Sequence, residues 1–276
     1  MAKLQQRPSR LRWPLRVITV VYVGLLVAWP VVLVFWNTFA DGLEPVVEAF
    51  QDPLIINSLR LTAIAAAWSV LLNVVFGVAV SILLVRYEFP GKRILNALVD
   101  VPLSVSPVVV GLAIILVYNA STGVFGKPLG SIGIQVLFST PAIVLATTFI
   151  ALPLVIREIV PVLAEVGTEQ EQAARSLGAS SPQTFWRITI PAIRWGLTYG
   201  IVLCLARSIG EFGAVKVVSG NLIGKTQTAT LMVEQLYYDF DQEQAFAIAS
   251  LLATVSIIAI IAVSVLRSRA ESKESS

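Results

Sequence analysis

Gln172-Ala173-Ala174-Arg175-Ser176-Leu177-Gly178 and, after the intervening residues 179–187, Ile188-Thr189-Ile190-Pro191 form a polar island in an otherwise apolar chain, and this island decides the fold. Glu165, Glu169 and Glu171 gather at its start. Arg175 follows Glu171 at the i,i+4 spacing that favours a helix. Ala173 and Ala174 are small enough to let another surface approach closely. Gly178 supplies the permissive dihedrals with which a short helix stops and turns. Ser180, Ser181 and Pro182 read as the cap and first turn of a second short helix, and Phe185, Trp186 and Ile188 add a bulky apolar anchor. Residues 157–194 are therefore expected to make a compact knob of two helices set at an angle about a glycine. The plainer alternative is an amphipathic connector on the membrane surface.

Outside the island the chain is built for lipid. Hydrophobic residues make up 56% and charged residues only 13%, about half the share found in soluble domains. A soluble domain of this length has no room to hide that much apolar surface. The pI of 9.1 does not point to nucleic acid, because the basic residues fall in short clusters between apolar runs. There is no histidine and one cysteine, Cys204, which removes the usual metal ligands, an internal disulfide and the common neutral-pH proton carrier. Neither a catalytic cluster nor a metal site is expected, and Cys204 reads as a small packing residue.

Six apolar segments are long enough to cross about 30 Å of hydrocarbon. They are placed near Val17–Phe39, Leu59–Val85, Val101–Tyr118, Pro141–Ile156, Trp195–Val215 and Ala245–Leu266. The third and fourth are short and proline-rich, so breaks or tilts are expected there. Lys3, Arg7, Arg10, Arg12, Arg16, Arg86, Lys92, Arg93, Arg157, Arg175, Arg187, Arg194, Arg267, Arg269 and Lys273 fall on one side of this arrangement. The alternate loops hold only Arg60, Lys127, Lys216 and Lys225. That bias puts a basic N-terminal segment (1–16), the knob and a disordered tail (267–276) in the cytoplasm, around a six-helix domain at 17–266. The first apolar run is too long for a secretory signal and reads as an uncleaved helix. The outer loops are acidic, with Asp41, Glu44, Glu48 and Asp52 in one and Glu234, Asp239, Asp241 and Glu243 in another. They are either solvated surface or a docking face.

The island reproduces the pattern E-A-A, three residues, Gly, nine residues, I-x-L-P, with Gln172 for the Glu and Ile190 for the Leu. It resembles the coupling loop of bacterial ABC import permeases. Val85–Lys92, Asp100–Leu112 and Ala206–Gly220 resemble segments of sulfate/thiosulfate permeases. The last two recur loosely in molybdate and tungstate permeases, and Phe149–Leu163 and Ile190–Leu203 resemble the W-type subunit. The resemblance implies an all-α integral membrane protein of the type I importer permease (MetI-like) fold, with six helices, a core of five, and both termini in the cytoplasm of a multi-pass bacterial inner-membrane protein. It implies a non-catalytic pore subunit completed by a second, T-type permease, with heterodimer and homodimer both open. Two copies of a cytoplasmic ATPase would hold ATP-Mg, this chain would bind no cofactor, and an extracytoplasmic binding protein would deliver the oxyanion. The coupling residues carried over are Glu171, Gln172, Ala173, Ala174, Gly178, Phe185, Ile188 and Pro191. Glu171 stands beside the substituted position, but about 100° away on a helix.

Arg207 and Glu211 lie four apart in the expected fifth span, on the outer side of its middle by helical rise. They are either a neutralised packing pair or part of the solute path. A dianion in transit needs hydrogen-bond donors without a deep well. Ser104, Ser106, Ser208 and Ser219 are candidates, with Gly210 beside Glu211; Gly196, Gly200 and Gly213 read as close-packing positions. Gly220–Thr226 imitates a P-loop but has three residues between its glycines where the phosphate turn needs four. The sulfate/thiosulfate reading competes with a molybdate/tungstate permease and with an ion-coupled secondary carrier, which would need no knob and would more often show inverted repeats.

Overall fold

The structure, a computed structural model, describes residues 12–40 and 42–274; side chains are described to residue 265. Among them the regular secondary structure is all helix, as lipid demands, because a helix satisfies its own backbone groups. In order come α1 (Arg12–Val23), a π turn (Gly24–Ala28), α2 (Trp29–Phe39), α3 (Glu44–Ala49), α4 (Pro53–Arg86), α5 (Lys92–Ser104) and α6 (Pro107–Tyr118). Then follow α7 (Gly126–Ser131), α8 (Thr140–Val166), α9 (Glu169–Ser176), α10 (Ser181–Thr184), a second π turn (Phe185–Thr189), α11 (Ile190–Ile209), α12 (Gly213–Ser219), α13 (Ala229–Tyr238) and α14 (Gln242–Glu274).

Both π turns close two residues before a proline. The amide of Trp29 reaches Gly24 ahead of Pro30, and that of Ile190 reaches Phe185 ahead of Pro191. Proline has no N–H to donate, and its ring clashes with the carbonyl four residues back. The wider turn moves that carbonyl aside, so the rods Trp13–Phe39 and Ser181–Ile209 stay continuous.

Five rods are long and apolar enough to span a membrane, and the sixth crossing is the pair α5 and α6, bent by 115°. The break falls where Val105 and Ser106 take extended dihedrals before Pro107, which disfavours a helical residue ahead of it. The fourth span runs unbroken through Pro153 and Pro161 to Val166. Arg157, counted with the cytoplasmic loop from sequence, therefore lies inside α8. The fifth rod is shifted: it starts at Ser181 and ends at Ile209, where Trp195–Val215 was expected. Residues 267–274 continue α14 where a disordered tail was expected; their Arg, Ala, Glu and Lys are helix formers. Residues 1–11 of the basic segment and Asp41 of the acidic loop lie outside the described residues.

The centre of the bundle is α4, α8 and α11, and small residues set their spacing. A Cβ at Gly77 would stand 2.8 Å from Val155 Cγ1, and one at Gly200 would stand 3.0 Å from Val155 Cα. Val155 is thus clasped between two helices that approach it only because both positions are glycine. At Gly196 a Cβ would come within 2.6 Å of the Glu158 carbonyl oxygen. Lipid tails are as apolar as leucine, so this close packing replaces the hydrophobic drive that a soluble core has. Ala151, Val155, Ile159, Leu163, Ile193 and Cys204 are fully buried there.

Candidate functional site: the coupling knob and the helix breaks

At one end of the bundle, residues 167–189 form a knob. Gly167 (φ 67°, ψ −164°) ends α8 in a conformation open almost only to glycine. After α9, Gly178 takes φ 88°; its amide bonds to Arg175 O at 3.0 Å and that of Ala179 to Ala174 O at 3.0 Å, a Schellman closure. Ser180 then caps α10 reciprocally. Its amide donates to Gln183 Oε1 at 2.9 Å, and the Gln183 amide donates to Ser180 Oγ at 3.4 Å. The helix–glycine–helix knob expected from the island is present, and it is shorter than 157–194 because both flanking rods extend into that range.

The knob sorts its residues by face. Gln172, Ala173, Arg175 and Gly178 are exposed, and Leu177 is 89% exposed, an apolar side chain held out into open space. Trp186 is 67% exposed, Phe185 and Ile188 are half-buried, and Pro191 is exposed at the start of α11. Phe185 packs against the bundle core, so the outward anchor is Trp186 with Leu177. Glu171 faces inward. Its Oε1 accepts from Arg86 Nη2 at 3.2 Å and from Thr189 Oγ1 at 3.0 Å. Gln172 instead donates to Thr168 Oγ1 on its own turn, at 3.0 Å. Glu171 is thus committed within the chain and does not stand in for the missing motif carboxylate on the exposed face.

Farther along, the breaks of the third and fifth spans meet. A Cβ at Gly213 would lie 3.0 Å from Pro107 Cβ, and one at Gly111 would lie 2.7 Å from Val217 Cβ, so α6 and α12 pack as a pair. Arg207 at the end of α11 pairs with Glu211 across Gly210 at 2.7 Å. The Glu211 side chain is buried while Arg207 stays half-exposed. Glu211 Oε1 also accepts the amide of Ala214 at 3.0 Å, which caps α12. Its backbone oxygen accepts from Thr230 Oγ1 at 2.9 Å. Gly210, Ser104 and Ser106 are exposed around the breaks, and no side-chain cap ties down the Ser106 hydroxyl.

Ser208 turns the other way: it is buried and donates to Ser69 Oγ of α4 at 3.4 Å, beside Asn73, whose amide nitrogen lies 3.3 Å from Cys204 Sγ. Ser219 is fully buried and accepts the amide of Asn221 in a turn. Another ion pair, like that of Arg86 with Glu171, is not legible in the sequence. Arg157 of α8 grips Asp100 of α5 with Nε and Nη2, the Nε bond being 2.8 Å. The two residues are far apart in the chain, and only the extension of α8 past Ile156 brings them together.

The knob thus lies at one end of the apolar rods, and the paired helix breaks lie toward the other. Residues 73–271 match the family of binding-protein-dependent transport system inner membrane components, and the chain belongs to that family. It is 43% identical to the sulfate transport system permease protein CysW of Synechocystis sp. over 260 residues, 94% of each chain. It is 48% identical to the chloroplastic sulfate permease 2 of Chlamydomonas reinhardtii over 236 residues, 86% of this chain and 64% of that longer protein. A crystal structure of a bacterial ABC transporter that imports alginate superimposes with a TM-score of 0.74 at 16% identity, over 95% of both chains. The fold is that of ABC importer permeases, and the protein is integral and multi-pass.

Proposed function

We propose that this chain is the W-type permease of an ATP-driven importer of sulfate and thiosulfate in the bacterial inner membrane. The observation that carries the reading is the glycine-closed knob, which presents Leu177 and Trp186 outward at the end of rods that reach the helix breaks. The likeness to sulfate permeases supports the choice of solute. Two copies of a separate ATPase grip the knob and hold ATP-Mg; this chain contributes no catalytic group and no cofactor. A second, T-type permease completes the path, and a binding protein delivers the anion to the outer loops. The exposed hydroxyls of Ser104 and Ser106 and the half-exposed Arg207, its charge offset by Glu211, line the path near the breaks. They offer donors to a dianion without holding it fast. Ser208 has an internal role in joining α4 to α11.

Radiolabelled sulfate uptake in cells lacking this chain, with thiosulfate and molybdate as competitors, tests the reading. Restored uptake that thiosulfate inhibits more strongly than molybdate is the expected result. Uptake restored for molybdate alone would move the chain to the molybdate branch.

A further inference from the structure

We propose that the Glu171–Arg86 contact is a strut that carries displacement of the knob into α4 and so fixes how much solute moves per ATP; this rests on the transport reading above. Packing does little to hold α9. It contributes no buried residue, and it hangs between Gly167 and Gly178, both at positive φ. A cavity of about 400 Å³ lies beneath it, lined by Arg86, Glu171, Arg175, Ser181, Thr184 and Thr189 among others. Among the described residues, the side-chain bonds from α9 to the membrane helices converge on Glu171.

That carboxylate and the Arg86 guanidinium together join three rods. Arg86 is the last residue of α4, and Thr189 lies in the π turn that leads into α11. Arg86 Nη1 also donates to Leu163 O at 3.1 Å, a carbonyl in the last turn of α8 that has no partner within its own helix. The Arg86 and Glu171 side chains are only 10% and 13% exposed, so water screens their attraction little.

From that node α4 runs unbroken for 34 residues, about 50 Å. At its far end Asn57 Nδ2 donates to Gly224 O at 2.9 Å, and Thr62 Oγ1 accepts the Ala229 amide at 2.8 Å. The next residue, Thr230, bonds to the backbone of Glu211. A push on Glu171 is therefore delivered, through one stiff helix, to the segment that holds the Arg207–Glu211 break. The rod through α11 gives a parallel covalent route, and the strut makes α4 move with it instead of slipping past. Glu171 and Arg86 are positioning residues and touch no solute. Without the strut, α9 swings on its two glycines and ATP is spent without opening the path.

The test uses the complete complex in proteoliposomes with its binding protein, carrying Glu171→Gln or Arg86→Gln. Each variant assembles and keeps ATP hydrolysis within about twofold of wild type, while sulfate moved per ATP falls about tenfold or more. The double variant is no worse than either single one. Hydrogen exchange at 169–176 in the same complexes speeds up about tenfold, with α4 unchanged. Wild-type sulfate per ATP in both variants, uptake and hydrolysis falling in parallel with the yield of complex, or unaltered exchange at 169–176 would each overturn the strut. A wild-type complex that hydrolyses ATP and moves no sulfate would overturn the solute assignment, and the exchange measurement would still decide the strut.

Discussion

The knob and the α11–α12 break use the same parts to opposite ends. Each has a glycine that interrupts a helix, Gly178 or Gly210, and a carboxylate bonded to an arginine, Glu171 to Arg86 or Glu211 to Arg207. At the knob the carboxylate reaches back to another helix and leaves the outer face free for a partner. At the break it closes on its own chain, where it neutralises an arginine four residues away and caps the next helix. The knob is held at one polar point above a cavity and is free to be displaced. The break is sealed by Gly213 against Pro107 and by Thr230 on the Glu211 backbone. A contact site has to move as a body, whereas a carboxylate buried within the membrane span needs its charge offset and its oxygens bonded.

Gly178→Asp tests the knob side most severely. Its φ of 88° strains any residue with a Cβ, by about 1–2 kcal/mol, and the Schellman turn that aims Leu177 is lost. Sulfate uptake falls about a hundredfold and the ATPase no longer co-purifies, while the protein still inserts. Uptake at the wild-type rate with an intact complex would count against the contact role. Glu211→Gln tests the break side. Arg207 loses its counter-charge, and the purified complex loses about 2 kcal/mol in thermal unfolding, with uptake reduced in proportion to the folded fraction or further. Full stability would mean that the pair is incidental.

Gly196→Ala acts on the helix contact that lies between the two sites. Its Cβ meets the Glu158 carbonyl, and the separation of α8 from α11 costs about 1–3 kcal/mol by the same measurement. Leu177→Ala is the mildest change. This side chain is 89% exposed, so unfolding shifts by less than about 0.5 kcal/mol. ATPase affinity measured by titration nevertheless falls about tenfold. An unchanged affinity would remove Leu177 from the contact face.

Local chemistry made much of this legible in the sequence. The turn at Gly178 and the cap at Ser180 depend on residues within a few positions of each other, and both appear as expected. The Arg207–Glu211 pair is likewise an i,i+4 relation. Span ends were less legible, because hydropathy does not register that a π turn lets the fifth rod start before Pro191, or that Glu211 caps a new helix instead of prolonging α11. The inward turn of Glu171 and the Asp100–Arg157 pair depend on residues brought from α4 and α5, and no spacing within one helix reveals them. Ser208 read as a path residue because it is polar and near Arg207; its partner, Ser69, lies on another helix.

The most direct test of an ATP-coupled permease is sulfate uptake into proteoliposomes that hold this chain, its permease partner, the ATPase and the binding protein, with ATP-Mg supplied on the knob side. The expected result is uptake that requires ATP and binding protein, is indifferent to an imposed ion gradient, and disappears in Gly178→Asp. Uptake driven by an ion gradient without ATP, unaltered by that substitution, would contradict it.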